Sequence, residues 1–209
     1  MISEELQQLL LQYCEPEDKL LQHIDHETNR KVLMPRMLSG HYQGRVLSML
    51  SKLISPKRIL EIGTFTGYAT LCLAEGLNNK GIIYTLDINE ELEEMVRANF
   101  AKSALNHKIK YLIGDAGESL KNINEIFDLV FIDADKKNNC LYYDLILDRV
   151  RPGGLIIVDN VLWNGKILSK AQDKDTRNIH EFNDKINADP KVEKLILPVR
   201  DGLFIIRKK

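Results

Sequence analysis

The sequence is poor in the features that mark several large classes of protein. Its 209 residues hold three cysteines, Cys14, Cys72 and Cys140, far apart and odd in number. That excludes a disulfide framework or a zinc cluster and fits reduced thiols in a cytoplasmic compartment. Lysine and arginine number 29 against 30 acidic residues, so no basic surplus marks a nucleic-acid partner. No apolar run approaches the length of a membrane span, and the opening MISEELQQLL is acidic, without the apolar stretch of a signal peptide. Repeats, low-complexity tracts and linkers rich in Gly, Pro or Ser are missing too. What is left, 44% hydrophobic and 28% charged, is ordinary for a globular chain. The expectation is one domain over 1–209 that needs no staples, with a helical cap over 1–54 and a ligand-binding core over 55–209.

The cap contains three stretches with helical spacing, SEELQQLLLQYC, EDKLLQHIDHETNR and GHYQGRVLSMLSKLI. From Lys57 onward the pattern alternates. Short apolar runs at 58–62, 82–87, 109–113, 128–132 and 155–158 are separated by helical stretches around 67–77, 90–103, 115–122 and 137–150. Such alternation predicts an α/β fold with a largely parallel sheet covered on both faces. A helix around 174–188 should cover the last crossover. VEKLILPV and LFIIRK then read as an antiparallel hairpin, with Asp201-Gly202 as the signal of a tight turn.

The first strand runs into EIGTFTGYAT, where Gly63 and Gly67 permit a tight turn and a close approach to a ligand. The spacing is GxxxG, which matches neither a dinucleotide fingerprint nor a P-loop. The second strand ends in Asp87, 24 residues after Gly63, where an acid can hold both hydroxyls of a ribose. Capping the following helix is the alternative role. The third strand ends in GDAGES, where Gly114 and Ala116 leave room for a flat base and Asp115 with Glu118 resembles a capping box. Three strand ends suited to parts of a nucleoside lie where open α/β sheets bind ligands.

The fourth strand closes in FIDADK and the fifth in IIVDN. Asp133 and Asp159 stand 26 residues apart, one strand–helix–strand unit, so parallel neighbours would bring both to one edge. Asn160 adds a neutral oxygen. Such a hard-oxygen set suits Mg²⁺, Ca²⁺ or Mn²⁺ and argues against zinc. Helix capping, or pairing with Lys136 and Arg149, is the alternative. His41 is open between a cap or packed role and contact with ligand, while His23 and His26 lack the rest of a metal site.

These stretches, with RPGGLIIVDNVLWNG and DGLFIIRK, resemble the metal-dependent O-methyltransferases of the catechol and caffeoyl-coenzyme-A type, from about Met37 to Lys209. The resemblance implies a Rossmann-like class I methyltransferase fold of seven strands, S-adenosylmethionine as cofactor, a divalent cation, a phenolic small-molecule acceptor and a homodimer. By matching position, Asp133, Asp159 and Asn160 would hold the cation, and Lys136 would be the general base. Asp87 would hold the ribose and Ala116 would adjoin the adenine. Met37, Ser39, Glu61, Gly63, Tyr68, Asp133, Asp135 and Tyr142 would line the cofactor pocket, and Trp163 and Asn164 would border the acceptor. Two positions depart from the family pattern. Ala69 stands where relatives commonly carry a serine for the methionine carboxylate, leaving Thr66 or backbone N–H groups to compensate. Asn139 stands where they often carry tyrosine. The rival is a silent nucleoside-binding protein of the same fold. Phosphoryl transfer is disfavoured by Lys136 after Asp-x-Asp, and an NAD-dependent dehydrogenase by GxxxG.

Overall fold

The computed structural model describes residues 4–169 and 173–209; Ser3, at the start of the first expected helix, lies outside them. Three helices come first, α1 (Glu4–Gln12), α2 (Lys19–Lys31) and α3 (Gly40–Ile54), with a 3₁₀ turn at Pro35–Met37. Asp18 caps α2 by accepting from Leu20 N at 2.8 Å. On α3 the buried stripe is Gln43, Gly44, Leu47, Ser48 and Ser51, the three- and four-residue spacing of one helix face.

The rest alternates. The strands are β1 (Arg58–Ile62), β2 (Ile82–Asp87), β3 (Ile109–Ile113), β4 (Phe127–Ile132), β5 (Val150–Asp159), β6 (Val192–Leu197) and β7 (Leu203–Lys208). The helices are α4 (Tyr68–Ala74), α5 (Glu93–Ala101), α6 (Ala116–Lys121), α7 (Asn139–Leu147) and α8 (Lys174–Ala188). They form one seven-stranded sheet in the order β3-β2-β1-β4-β5-β7-β6. β1 to β5 pair in parallel, and β7 lies antiparallel between β5 and β6. This is the class I methyltransferase architecture expected.

Alternate strand residues feed two cores. Leu60, Val130, Ile132, Ile156 and Val158 pack with Leu120, Ile146 and Phe182 of α6, α7 and α8. Ile59, Leu129, Phe131 and Ile157 pack with Leu47 and Leu73 of α3 and α4. Each such fully buried side chain contributes about 1.5–3 kcal/mol relative to exposure. The apolar runs are nearly continuous because both sheet faces are covered.

Two expectations need correction. The helix read over 137–150 stops at Leu147, and β5 begins at Val150, not at 155. Pro152 disfavours helical backbone at Arg151. The final hairpin is not closed by a two-residue turn either. Leu197 pairs with Leu203, so residues 198–202 form the connection. Pro198 has no N–H for the ladder, and Gly202, at φ +90°, closes the loop by donating to Val199 O at 2.9 Å.

Candidate active site

The strand order reverses between β1 and β4, the place where such sheets leave a crevice at their carboxyl ends. There Gly63, at φ +102°, lies so close to β4 that an added Cβ would stand 2.3 Å from the Asp133 carbonyl oxygen. The glycine turn thus rests on the strand that carries the acids. Facing it is the strap Met37–Leu38–Ser39, and the narrow cleft between them is lined by Met37, Ser39, Gly63, Thr64, Phe65, Thr66, Tyr68, Ala69 and Asp133, among others. Met37, Ser39, Gly63, Tyr68 and Asp133 therefore come together as expected. Tyr68, 1% exposed, turns its hydroxyl away to donate to Glu17, and burial pushes its pKa up. Thr66 accepts from Thr28 at 3.0 Å and is fully buried. Its hydroxyl accepts from α2 and keeps its own proton to donate.

Asp87 bridges β2 to the same turn. Its Oδ2 accepts from Phe65 N at 2.6 Å and its Oδ1 from Asn89 N at 2.9 Å. The cap of the next helical turn is Asn89, which accepts from Glu91 N at 3.0 Å, so capping is not the role of Asp87. Each carboxylate oxygen keeps a free lone pair. Glu61 is completely buried at the end of β1, accepting from Thr85 at 2.5 Å and from Thr70. Its Oε1 has no partner. Burial pushes its pKa up to about 8, against the pull of the two threonines, so the carboxyl is largely protonated at neutral pH.

Ala116 opens α6, 7% exposed, behind the cap that Asp115 makes to Glu118 N at 3.0 Å. An added Cβ on nearby Gly114 would meet nothing nearer than Ser119 Oγ at 3.8 Å, so the chain is not tightly packed at that point. Asp135 accepts from Tyr142 OH at 2.9 Å and from Asn138 at 2.7 Å. Asn139 is buried, with its side-chain oxygen unpartnered.

Asp133 and Asp159 each follow the Ile132–Val158 pair of parallel neighbours β4 and β5, so the two acids do share an edge. Lys136 Nζ lies 3.1 Å from Asp133 Oδ1. Asp159 is 3% exposed, and burial, then the charge of Asp133, drives its pKa upward, against Lys136. Its partner is not Arg149, which donates to Leu120 O at 2.8 Å. Gln43 Nε2 instead donates to Asp159 Oδ2 at 2.7 Å, and Asn160 N to Oδ1 at 2.6 Å. Asn160 takes φ +62°, a left-handed conformation that asparagine tolerates better than most residues. Gln43 was missed by the sequence reading; its signal was a polar residue on the buried stripe of α3. Among the described residues no three His, Cys, Asp or Glu side chains cluster as a metal site. The carboxylates of Asp133 and Asp159, with Asn160 next in the chain, are the candidate donors at this edge. Their mutual repulsion and the orphaned, buried Gln43 Oε1 fit a hard divalent cation.

Beyond Asn160 the chain makes a short 3₁₀ segment with Trp163 at φ +47°, Asn164 at +52° and Gly165 at +75°. Trp163 and Asn164 do not line the cleft. They stand beside a groove of about 380 Å³ walled by Leu162, Gly165, Ile167, Leu168, Pro198, Arg200 and Asp201. The indole N–H is buried without a partner. His41 donates to or accepts from nothing in the site; its Nε2 meets Glu15 O at 2.8 Å.

A reversing parallel sheet with a glycine turn after β1 and acids after β2, β4 and β5 defines a class I methyltransferase. Residues 12–209 match the family model described as O-methyltransferase, and the chain belongs to that family. It is 36% identical to caffeoyl-CoA O-methyltransferase 2 of Populus trichocarpa, over 82% of this chain and 75% of that protein. An O-methyltransferase from Bacillus cereus, solved in complex with SAH, superposes with a TM-score of 0.90 at 31% identity, covering 98% and 97% of the two chains. The O-methyltransferase TomG of Streptomyces achromogenes, solved with SAM, superposes at 0.91 and 25% identity over the full length of both.

Proposed function

We propose that this chain transfers the methyl group of S-adenosylmethionine to a hydroxyl of a catechol-like or caffeoyl-type phenol, assisted by a divalent cation, Mg²⁺ foremost. The observation that carries the proposal is the pair Asp133 and Asp159, side by side at the ends of adjacent strands with Lys136 against one of them. S-adenosylmethionine supplies an activated methyl group, and a cation chelated by two adjacent hydroxyls lowers the pKa of the acceptor. Asp133, Asp159 and Asn160 would hold the cation. Asp87, Glu61, Ala116, Asp135 and Tyr142 would surround the cofactor, with Met37, Ser39, Gly63 and Tyr68 across the cleft. Lys136, 3.1 Å from Asp133 Oδ1, would take up the acceptor proton. The cleft walls would hold oxygen and methyl carbon in line, a placement that contributes on the order of 7–11 kcal/mol when it is accurate. Trp163 and Asn164 would flank the acceptor.

A homodimer in the cytoplasm, with Cys14, Cys72 and Cys140 kept as free thiols, completes the proposal. Transfer of labelled methyl from S-adenosylmethionine to a catechol, with and without a chelator, tests it. Turnover should vanish on chelation and return with Mg²⁺; undiminished turnover in chelator rules out the cation. One observation favours a second possibility, a cofactor-binding protein without turnover: Ala69 lines the cleft where a hydroxyl would serve the methionine end. Binding of S-adenosylhomocysteine with no methylation of any phenol would favour it.

A further inference from the structure

The turn between β6 and β7 touches both mouths of the site. On one side Arg200, itself at φ +47°, reaches the cofactor strap. Its Nη1 donates to Leu38 O at 2.6 Å and Ser39 O at 2.5 Å, and its Nη2 to Arg36 O at 3.2 Å. These are contacts across more than 160 residues of chain, made by a rigid planar donor to the backbone of the segment that faces Gly63. On the other side Asp201 holds the acceptor loop. Its Oδ1 accepts from Asn164 N, and its carbonyl accepts from Leu162 N at 2.9 Å. Gly202 O accepts from Val161 N at 3.2 Å, and a Cβ at Gly202 would meet Leu162 Cγ at 2.4 Å. The held loop contains Trp163 and Asn164 in left-handed backbone, which is rare for a tryptophan and persists where surroundings enforce it.

We propose that Arg200 and Asp201 are positioning residues that act as a two-sided clamp. Arg200 fixes the strap at the cofactor mouth, Asp201 fixes the loop at the acceptor mouth, and the turn between them sets the gap. The inference rests on the proposed function for what the two mouths bind. Its geometry, one turn bonded to the strap and to the Trp163 loop, does not.

Trp163 is the chain's single tryptophan, so its fluorescence reports the Asp201 side directly. In the full-length protein, Arg200→Ala should weaken S-adenosylhomocysteine about tenfold by calorimetry, the loss expected for charge-assisted hydrogen bonds, and leave the emission unchanged. Arg200→Lys, which keeps charge without the planar fork, should fall between. Asp201→Ala should shift Trp163 emission to the red and raise its acrylamide quenching and the acceptor KM, while the S-adenosylhomocysteine affinity stays within about twofold of wild type. Asp201→Asn, which keeps the accepting oxygen, should restore the emission. The clamp is overturned if Arg200→Ala and Arg200→Lys leave the affinity unchanged. It is equally overturned if Asp201→Ala leaves the emission unchanged or Asp201→Asn fails to restore it. Should wild type bind no S-adenosylhomocysteine, the proposed function fails and the Arg200 arm with it; the emission series still decides the role of Asp201.

Discussion

The two edges of the sheet treat their acids in opposite ways. At the edge where β4 begins, Asp128 accepts from Lys57 N at 2.7 Å, Arg58 N at 2.9 Å and Arg151 Nε at 2.6 Å. Burial pulls its pKa up, but those donors outweigh it and leave it below the usual carboxylate value. Glu125 nearby pairs with Arg58 at 2.9 Å. At the edge where β1, β2, β4 and β5 end stand Glu61, Asp87, Asp133, Asp135 and Asp159, with Lys136 at 3.1 Å from Asp133 and Lys137 at 3.7 Å from Asp135. There Glu61 and Asp159 are pushed upward. The donors of Asp128 outweigh its burial, and it ties strand starts together. At the other edge burial outweighs the donors of Glu61 and Asp159, and costly buried acids gathered at one edge mark a candidate binding site.

The difference can be pressed with three substitutions. The largest effect belongs to Asp133→Ala, which should cut methyl transfer by about 10²–10³ or more while S-adenosylhomocysteine still binds and the melting temperature does not fall. A drop in melting temperature as large as that of an Asp128 variant would erase the contrast. Asp128→Ala should do the reverse. Leaving Arg151 and two backbone donors unpaired should cost about 2–3 kcal/mol, seen in calorimetry as a melting point lower by roughly 4–12 °C, with kcat/KM per folded molecule little altered.

A third substitution, read only as a difference between two pH values, sharpens the comparison. The folded pKa of Glu61, about 8, exceeds the ordinary glutamate value of 4.5. The unfolded chain therefore releases this proton first as pH rises, and the folded state loses stability between those values. Glu61→Gln carries no such proton. Its melting temperature should match wild type near pH 5 and exceed it progressively as pH rises to 8; an equal gap at both values would contradict the shift.

Much of this was legible in the chain. The first three strands and α3 and α8 begin and end where the apolar periodicity placed them, because short runs between helical stretches leave little freedom of register. Asp133 and Asp159 could be put at one edge from spacing alone, since consecutive parallel strands place their ends side by side. What local pattern could not show were partners distant in the chain. Gln43 meets Asp159 across 116 residues and Arg200 meets Leu38 across 162; neither pairing leaves a periodic trace. The five-residue closure of the last hairpin was hidden for a different reason. Asp-Gly marks a turn but not its length, and Pro198 had already ended the ladder. The place of Trp163 beside the groove, off the cleft, follows from three left-handed residues in succession, which asparagine and glycine hint at and tryptophan conceals.

The amide of Gln43 reaches from the helical cap to Asp159 at the acidic edge, and this changes what counts as the smallest piece that keeps the site whole. A fragment starting at Arg58 would retain every strand, the glycine turn and both acidic tips, and by motif it would look whole. It would nonetheless present Asp159 with one oxygen stripped of its donor and the cleft with a missing wall. The leading helices thus help build the candidate site, and trimming them takes away a wall and a donor along with shape.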